Sequence, residues 1–199
     1  AHPGREQIMA AMNCDGNAVM QALLHPATAP NRPVLFMKHM AHHLVGIDTG
    51  FLAETQNVFL VRDPAEMLPS LTIQLPNATL ADTGLAVQSR MYDELRNKGQ
   101  QPAILDSREL LLDPGHVLET LCRQLGISFD TRMLSWPKGP IPEDGVWAKH
   151  WYHAVHQSSG FSKYEPKREF PEHLRGLLDE CAPHYEKLFM HAIRATTGG

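Results

Sequence analysis

Three short apolar runs in this 199-residue chain each end in side chains able to do chemistry. Val34-Leu35-Phe36-Met37 delivers Lys38 and His39, Val58-Phe59-Leu60-Val61 delivers Arg62 and Asp63, and Ala103-Ile104-Leu105 delivers Asp106 and Ser107. Lysine and arginine are cations at neutral pH and imidazole titrates close to it, so such a set suits holding an anion and moving one proton. His42 and His43 follow close behind Lys38, and Ser70 lies two helical turns beyond Arg62. Taken singly, these residues have plainer uses: Arg62 in an ion pair, Ser70 as a surface hydroxyl, the histidines as packed or capped rings.

The positioning elements are clearest from Asn57 to Leu71. Four apolar residues with β-branched and aromatic members predict a strand buried on both faces of a parallel sheet. Asp63 is placed to cap a helix, Pro64 fits its first position, and Glu66 has capping-box spacing. Strand therefore passes directly into helix. In open α/β sheets ligands bind beyond the carboxyl ends of the strands, where helix N-termini point free N–H groups. The gaps between the three runs are long enough for the crossovers that parallel strands need.

Composition narrows the class. Residues 1–199 are read as a single α/β domain, and 43% hydrophobic with 20% charged residues is ordinary for a globular protein. A net charge of −4 argues against a general nucleic-acid surface, so an anion site has to be local. No apolar run approaches the roughly 18 to 20 residues of a bilayer span, and the N-terminus lacks a secretory signal pattern. No membrane association and a cytoplasmic location are the expectations. Cys14, Cys122 and Cys181 are scattered and read as reduced thiols.

Elsewhere the pattern predicts short helices over Arg5–Met12, Asn17–Leu24 and Thr49–Thr55, a helical period from Leu85 to Leu95, and Asp82 as its cap. Asp113-Pro114 again reads as cap plus first helical position, ahead of a stripe formed by Val117, Leu118, Leu121, Cys122 and Leu125. Residues 131–161 hold Trp136, Trp147 and Trp151 among Pro and Gly breakers. They are read as a lid or substrate wall, or else as cover for one edge of the core, ending in a helix from about Lys149 to Ser158. From Pro171 a long amphipathic pattern runs to Ile193 through Pro183. His39 and His43 are four apart, and His150, His153 and His156 recur every three residues. Without Cys or carboxylates at matching spacing, no metal is expected.

Strand, Arg62, Asp63-Pro64 and a serine eight residues after the arginine resemble the 3′-phosphate element of sulfotransferases that use 3′-phosphoadenosine 5′-phosphosulfate (PAPS). Lys38-His39 is similar to the Lys-x-His pattern of that family, and LDSRELLLDPGHVLETLCRQLG to its strand, Asp-Pro and long helix. The resemblance is to a bacterial-type subgroup and covers most of the chain. It implies a three-layer, parallel-sheet architecture like that of P-loop NTPases, with a long C-terminal helix. It also implies PAPS as co-substrate without a metal, and sulfuryl transfer to a small-molecule hydroxyl or amine. Carried over, Arg62 and Ser70 bind the 3′-phosphate, and Lys38 with His39, or His42 or His43, serves the transferred group and the acceptor. Two departures stand out. Ser107-Arg108-Glu109-Leu110 replaces a Tyr-Glu-Asp-Leu, and the Arg-Lys-Gly element that closes over PAPS has no counterpart, Lys149 being the nearest basic candidate. The strand and loop that cradle the 5′-phosphosulfate do not precede Val34, so the fold is expected to be N-terminally incomplete. The rival readings are a non-catalytic nucleotide- or partner-binding protein on the same scaffold, and a P-loop nucleotide kinase relative.

Overall fold

A computed structural model of the chain describes residues 4–24, 34–146, 148–166 and 169–196. In chain order its helices are α1 (Arg5–Ala11), α2 (Gly16–Leu24), α3 (Pro64–Gln74), α4 (Leu80–Thr83), α5 (Leu85–Asn97), α6 (Ser107–Leu112), α7 (Pro114–Gln124), α8 (Ala148–Trp151), α9 (His153–Gln157) and α10 (Arg175–Phe189). Strands β1 (Val58–Val61) and β2 (Ala103–Asp106) pair in parallel, with Val58 opposite Ala103 and Val61 opposite Asp106. The class is thus mixed α/β with a small parallel sheet. No helix among the described residues is long and apolar enough to cross a membrane.

The chain divides into two compact units. The larger comprises residues 38–45, 49–129 and 163–199 and contains the sheet. Phe59, Val61 and Ile104 meet Leu68 of α3, Leu85, Tyr92 and Leu95 of α5, and Cys181, Tyr185 and Leu188 of α10 in one core. A second cluster joins Leu105 to Val117 of α7 and to Ile193, which bridges in parallel to Leu105. Each fully buried leucine in this set contributes roughly 1.5–3 kcal/mol relative to exposure.

Capping residues carry out what the local code specifies. Asp63 Oδ1 accepts from Ala65 N at 2.8 Å, with Pro64 buried at the first helical position. Asp113 does the same for α7, taking His116 N at 3.1 Å. Asp82 is not the cap of α5: with Thr79 it forms the capping box of the short α4, and Gly84, at φ +73°, turns the chain into α5.

Two strand expectations are corrected. Residues 34–40 have no regular structure, and Val34, Leu35 and Phe36 are 56%, 52% and 84% exposed. A four-residue apolar run becomes a strand only when a neighbour satisfies its backbone, and no described strand pairs with this one. β1, expected to be buried on both faces, alternates: Phe59 and Val61 are inside, whereas Leu60 is 57% exposed. Helices cover one face of β1, and nothing described covers Val58 and Leu60 from the other.

The second unit comprises residues 1–37, 46–48 and 130–162. Its aromatic segment is closed on itself. Ser135 bridges Gly160, Trp136 Nε1 donates to Ser158 Oγ at 2.9 Å, and Gly139 N donates to the His156 carbonyl at 2.8 Å. Asp144 Oδ2 meets His156 Nε2 at 2.8 Å. The single helix expected here is two short ones, α8 and α9, parted at Tyr152. Trp147 lies outside the described residues.

Candidate functional site

In the larger unit, a cleft of about 360 Å³ opens at the carboxyl ends of β1 and β2. Its lining includes Arg62 from the end of β1, Glu66 of α3, Ser107 and Leu111 of α6, and Lys163, Tyr164 and Glu165 from the segment preceding α10. Arg62 is exposed, and neither it nor Lys163 has a hydrogen-bond or ion-pair partner among the described residues. Two unengaged cations beside a hydroxyl have the chemistry to hold an anion.

Of the two carboxylates lining the cleft, Glu66 is engaged and Glu165 is exposed. Tyr164 donates its phenolic proton to Glu66 Oε1 at 2.5 Å. That bond, with burial and the charge of Glu66 behind it, raises the tyrosine above its ordinary value, while Arg108 acts in the opposite sense. The carboxylate is therefore occupied, and Tyr164 is held as a wall.

Beneath Ser107 lies Asp106, fully buried. Its Oδ1 accepts from Arg108 N at 2.9 Å and Glu109 N at 3.1 Å, capping α6, and its Oδ2 accepts from Tyr185 OH at 3.0 Å. Burial nonetheless pushes the carboxyl up, outweighing these bonds and the nearby Arg108 charge.

The other residues singled out by sequence fall in different places. Ser70 belongs to α3, where its hydroxyl donates to the Met67 carbonyl at 2.8 Å. Lys38 and His39 are exposed on the irregular stretch before residue 41, and the His39 ring leans on Phe51 at 5.7 Å. His42 stacks edge-on to His43 at 4.3 Å. Burial, and then the His43 ring, lower its pKa against the pull of Asp82, so its imidazole is neutral at neutral pH. It sits close over Gly84, where an added Cβ would stand 3.2 Å from His42 Nδ1. None of Lys38, His39, His42 and Ser70 lines the cleft with Arg62. Lys149 lies on α8 in the other unit, donating to Gln7 Oε1 at 3.2 Å. No group of three or more His, Cys, Asp or Glu side chains among the described residues is placed to hold a metal ion.

Sequence reasoning missed Lys163, Tyr164 and Glu66 as cleft residues. The only signal was a basic-aromatic pair in Ser162-Lys163-Tyr164-Glu165-Pro166, just past the tryptophan-rich segment.

Comparison with known proteins adds the following. A family model described as a sulfotransferase domain matches residues 1–192. Branched-chain-amino-acid aminotransferase-like protein 2 of Arabidopsis thaliana is 35% identical over 192 residues, 95% of this chain and 34% of the relative. Branched-chain-amino-acid aminotransferase-like protein 1 of the same plant is 35% identical over 199 residues, 98% of this chain and 35% of the relative. The chain thus spans about a third of the length of these curated relatives. No solved structure matches.

Proposed function

The chain belongs to the sulfotransferase-domain family, and from that premise we propose that it takes part in sulfuryl transfer from PAPS to a small-molecule hydroxyl or amine. The observation that carries this reading is the unengaged Arg62 guanidinium at the carboxyl end of β1, sharing a cleft with Ser107 and Lys163. The 3′-phosphate of the nucleotide is assigned to these three groups. Paired guanidinium donors fit two phosphate oxygens, the ammonium adds a point charge and the hydroxyl a single hydrogen bond. Lys163 takes the part that sequence gave to Lys149. Ser70 joins if its hydroxyl turns from the Met67 carbonyl toward the phosphate.

In the transfer itself, the bond between sulfur and the bridging phosphate oxygen breaks as one forms from sulfur to the acceptor oxygen or nitrogen. The electron pair leaves with adenosine 3′,5′-bisphosphate. The reaction resembles phosphoryl transfer, in which the protein mainly positions the partners and balances spread-out negative charge. Lys38 supplies such a charge. His39 or His42 accepts the acceptor's proton, a contribution of roughly 10²- to 10⁴-fold for a well-placed base, and the neutral state of His42 supports that role. The three-layer P-loop-like sheet and residues 131–161 as the acceptor wall belong to the same proposal.

Thermal shift tests it. Adenosine 3′,5′-bisphosphate should stabilise the chain and ATP should not, because a ligand that binds only the folded state raises the melting temperature by mass action. Stabilisation by ATP alone would move the assignment to a kinase relative, and stabilisation by neither would leave the binding-protein reading.

A further inference from the structure

Two residues that the reaction does not touch hold the floor of this cleft. Asp106 is fully buried and Tyr185 is 6% exposed, and they are joined by a hydrogen bond between the end of β2 and the middle of α10. A buried carboxylate is a costly way to fill space, since an apolar side chain of similar size packs there without desolvating a charge. A helix cap alone does not require it either: Asp63 and Asp113 cap α3 and α7 from partly exposed positions. What distinguishes Asp106 is the number of things it fixes at once. Its Oδ1 anchors the amides of Arg108 and Glu109 and so orients the turn that carries Ser107 to the cleft. Its Oδ2 is clasped by Tyr185, whose ring also stacks on Phe189 at 5.2 Å. From that turn Arg108 lies 5.5 Å from the Phe189 ring centroid, pairs with Glu109 at 3.7 Å and sets its charge within reach of Tyr164.

We propose that Asp106 and Tyr185 are a positioning pair for the cleft, the tyrosine hydroxyl holding the carboxylate so that the first turn of α6 presents Ser107 and, through Arg108, fixes the Tyr164 wall. Where it concerns nucleotide affinity, this rests on the sulfotransferase reading; where it concerns the order of the cleft, it does not. The charged and titratable groups facing the pair are Asp63 at the end of β1, Arg108 and Glu109 of α6, and Tyr164 beside α3. Among them only Arg108 is a cation, so loss of the tyrosine hydroxyl leaves Asp106 Oδ2 without a neutral donor and frees Arg108 to turn inward toward it, away from Tyr164.

The test is Tyr185→Phe in the full 199-residue chain, which keeps the ring, the stack on Phe189 and both Asp106 caps. Without ligand, hydrogen exchange should speed about tenfold at the α6 amides, with α5 unchanged, and the ring NMR signals of Tyr164 should shift. Tyr164 has its hydrogen bond to Glu66 and none to Asp106 or Tyr185, so a purely local packing role does not reach it. Unmoved Tyr164 ring signals, or equal acceleration across α5 and α10, overturn the proposal. Adding Asp106→Asn to Tyr185→Phe removes the charge that draws Arg108 inward while retaining an acceptor for the two caps, and should return the Tyr164 signals toward wild type; if they stay as shifted as in Tyr185→Phe alone, the carboxylate is not what moves the wall. In parallel, the affinity for adenosine 3′,5′-bisphosphate should fall about tenfold in Tyr185→Phe. Binding by the wild type with no loss in the variant also overturns the proposal. No binding by the wild type removes the nucleotide reading instead, and the exchange and NMR data then decide the positioning role by themselves.

Discussion

The two strands end alike in sequence and differently in the molecule. β1 closes with Val61, Arg62 and an aspartate that caps α3; β2 closes with Leu105 and an aspartate that caps α6. Yet Asp63 is partly exposed and leaves Arg62 open to the cleft, whereas Asp106 is sealed under α10 by Tyr185. Neighbours account for the difference. β2 has β1 on one side and the Ile193 bridge on the other, with α7 and α10 packed on it, so all four of its residues are buried. β1 pairs only with β2 among the described residues and exposes alternate side chains. One local signal thus builds an end open to a cleft and an end sealed in the core, according to what covers it.

Truncating the two caps should pull the strand ends furthest apart. Asp106→Ala strands a buried tyrosine hydroxyl and two helix-end amides and should cost on the order of 3 kcal/mol or more in urea unfolding, whereas Asp63→Ala should cost about 1 kcal/mol. Equal losses would erase the contrast. Arg62→Ala should do the reverse. It should leave stability within roughly 0.5 kcal/mol of wild type, as expected for an exposed residue without a partner, while adenosine 3′,5′-bisphosphate affinity falls roughly 10- to 100-fold, as for a lost charge-assisted contact.

These contrasts also mark how far the chain is legible from its residues. The α/β class, β1 and its passage through Asp63-Pro64 into α3, the position of β2, the Asp113-Pro114 start of α7 and the amphipathic α10 all follow from short-range rules of periodicity and capping. What depends on partners does not. Val34 to Met37 has the composition of a strand but no described neighbour to pair with. The placing of Lys163 and Tyr164 beside Arg62 depends on a hydrogen bond between residues 98 positions apart, which no local pattern encodes. Asp106 reads from sequence only as a polar residue that ends a strand; that it caps α6 as a buried acid is tied to Tyr185, 79 positions away.

A smaller effect separates the strand ends by pH. Burial raises Asp106 above its unfolded-chain value, so the folded state holds that proton more tightly. The associated stability is present at low pH and is lost as pH rises through the folded-state value. Measured from about pH 4 to about pH 8, the stability of wild type relative to Asp106→Asn should therefore decline with rising pH. A flat difference would mean that the carboxylate is not strained by burial. Least affected should be Lys149→Ala, whose nitrogen among the described residues donates to Gln7 within the second unit: bisphosphate affinity should stay within about twofold, since an exposed contact of this kind is worth little. A loss as large as that of Arg62→Ala would return the closing role to Lys149 and take it from Lys163.

The central claim is that Arg62 and Lys163 together hold a nucleotide's 3′-phosphate, and calorimetric titration of adenosine 3′,5′-bisphosphate against adenosine 5′-monophosphate tests it most directly. Wild type should prefer the bisphosphate, and the preference should shrink about tenfold or more in Arg62→Ala and in Lys163→Ala, with the double variant losing less than the sum of the two. An unaltered preference in both single variants would contradict the assignment.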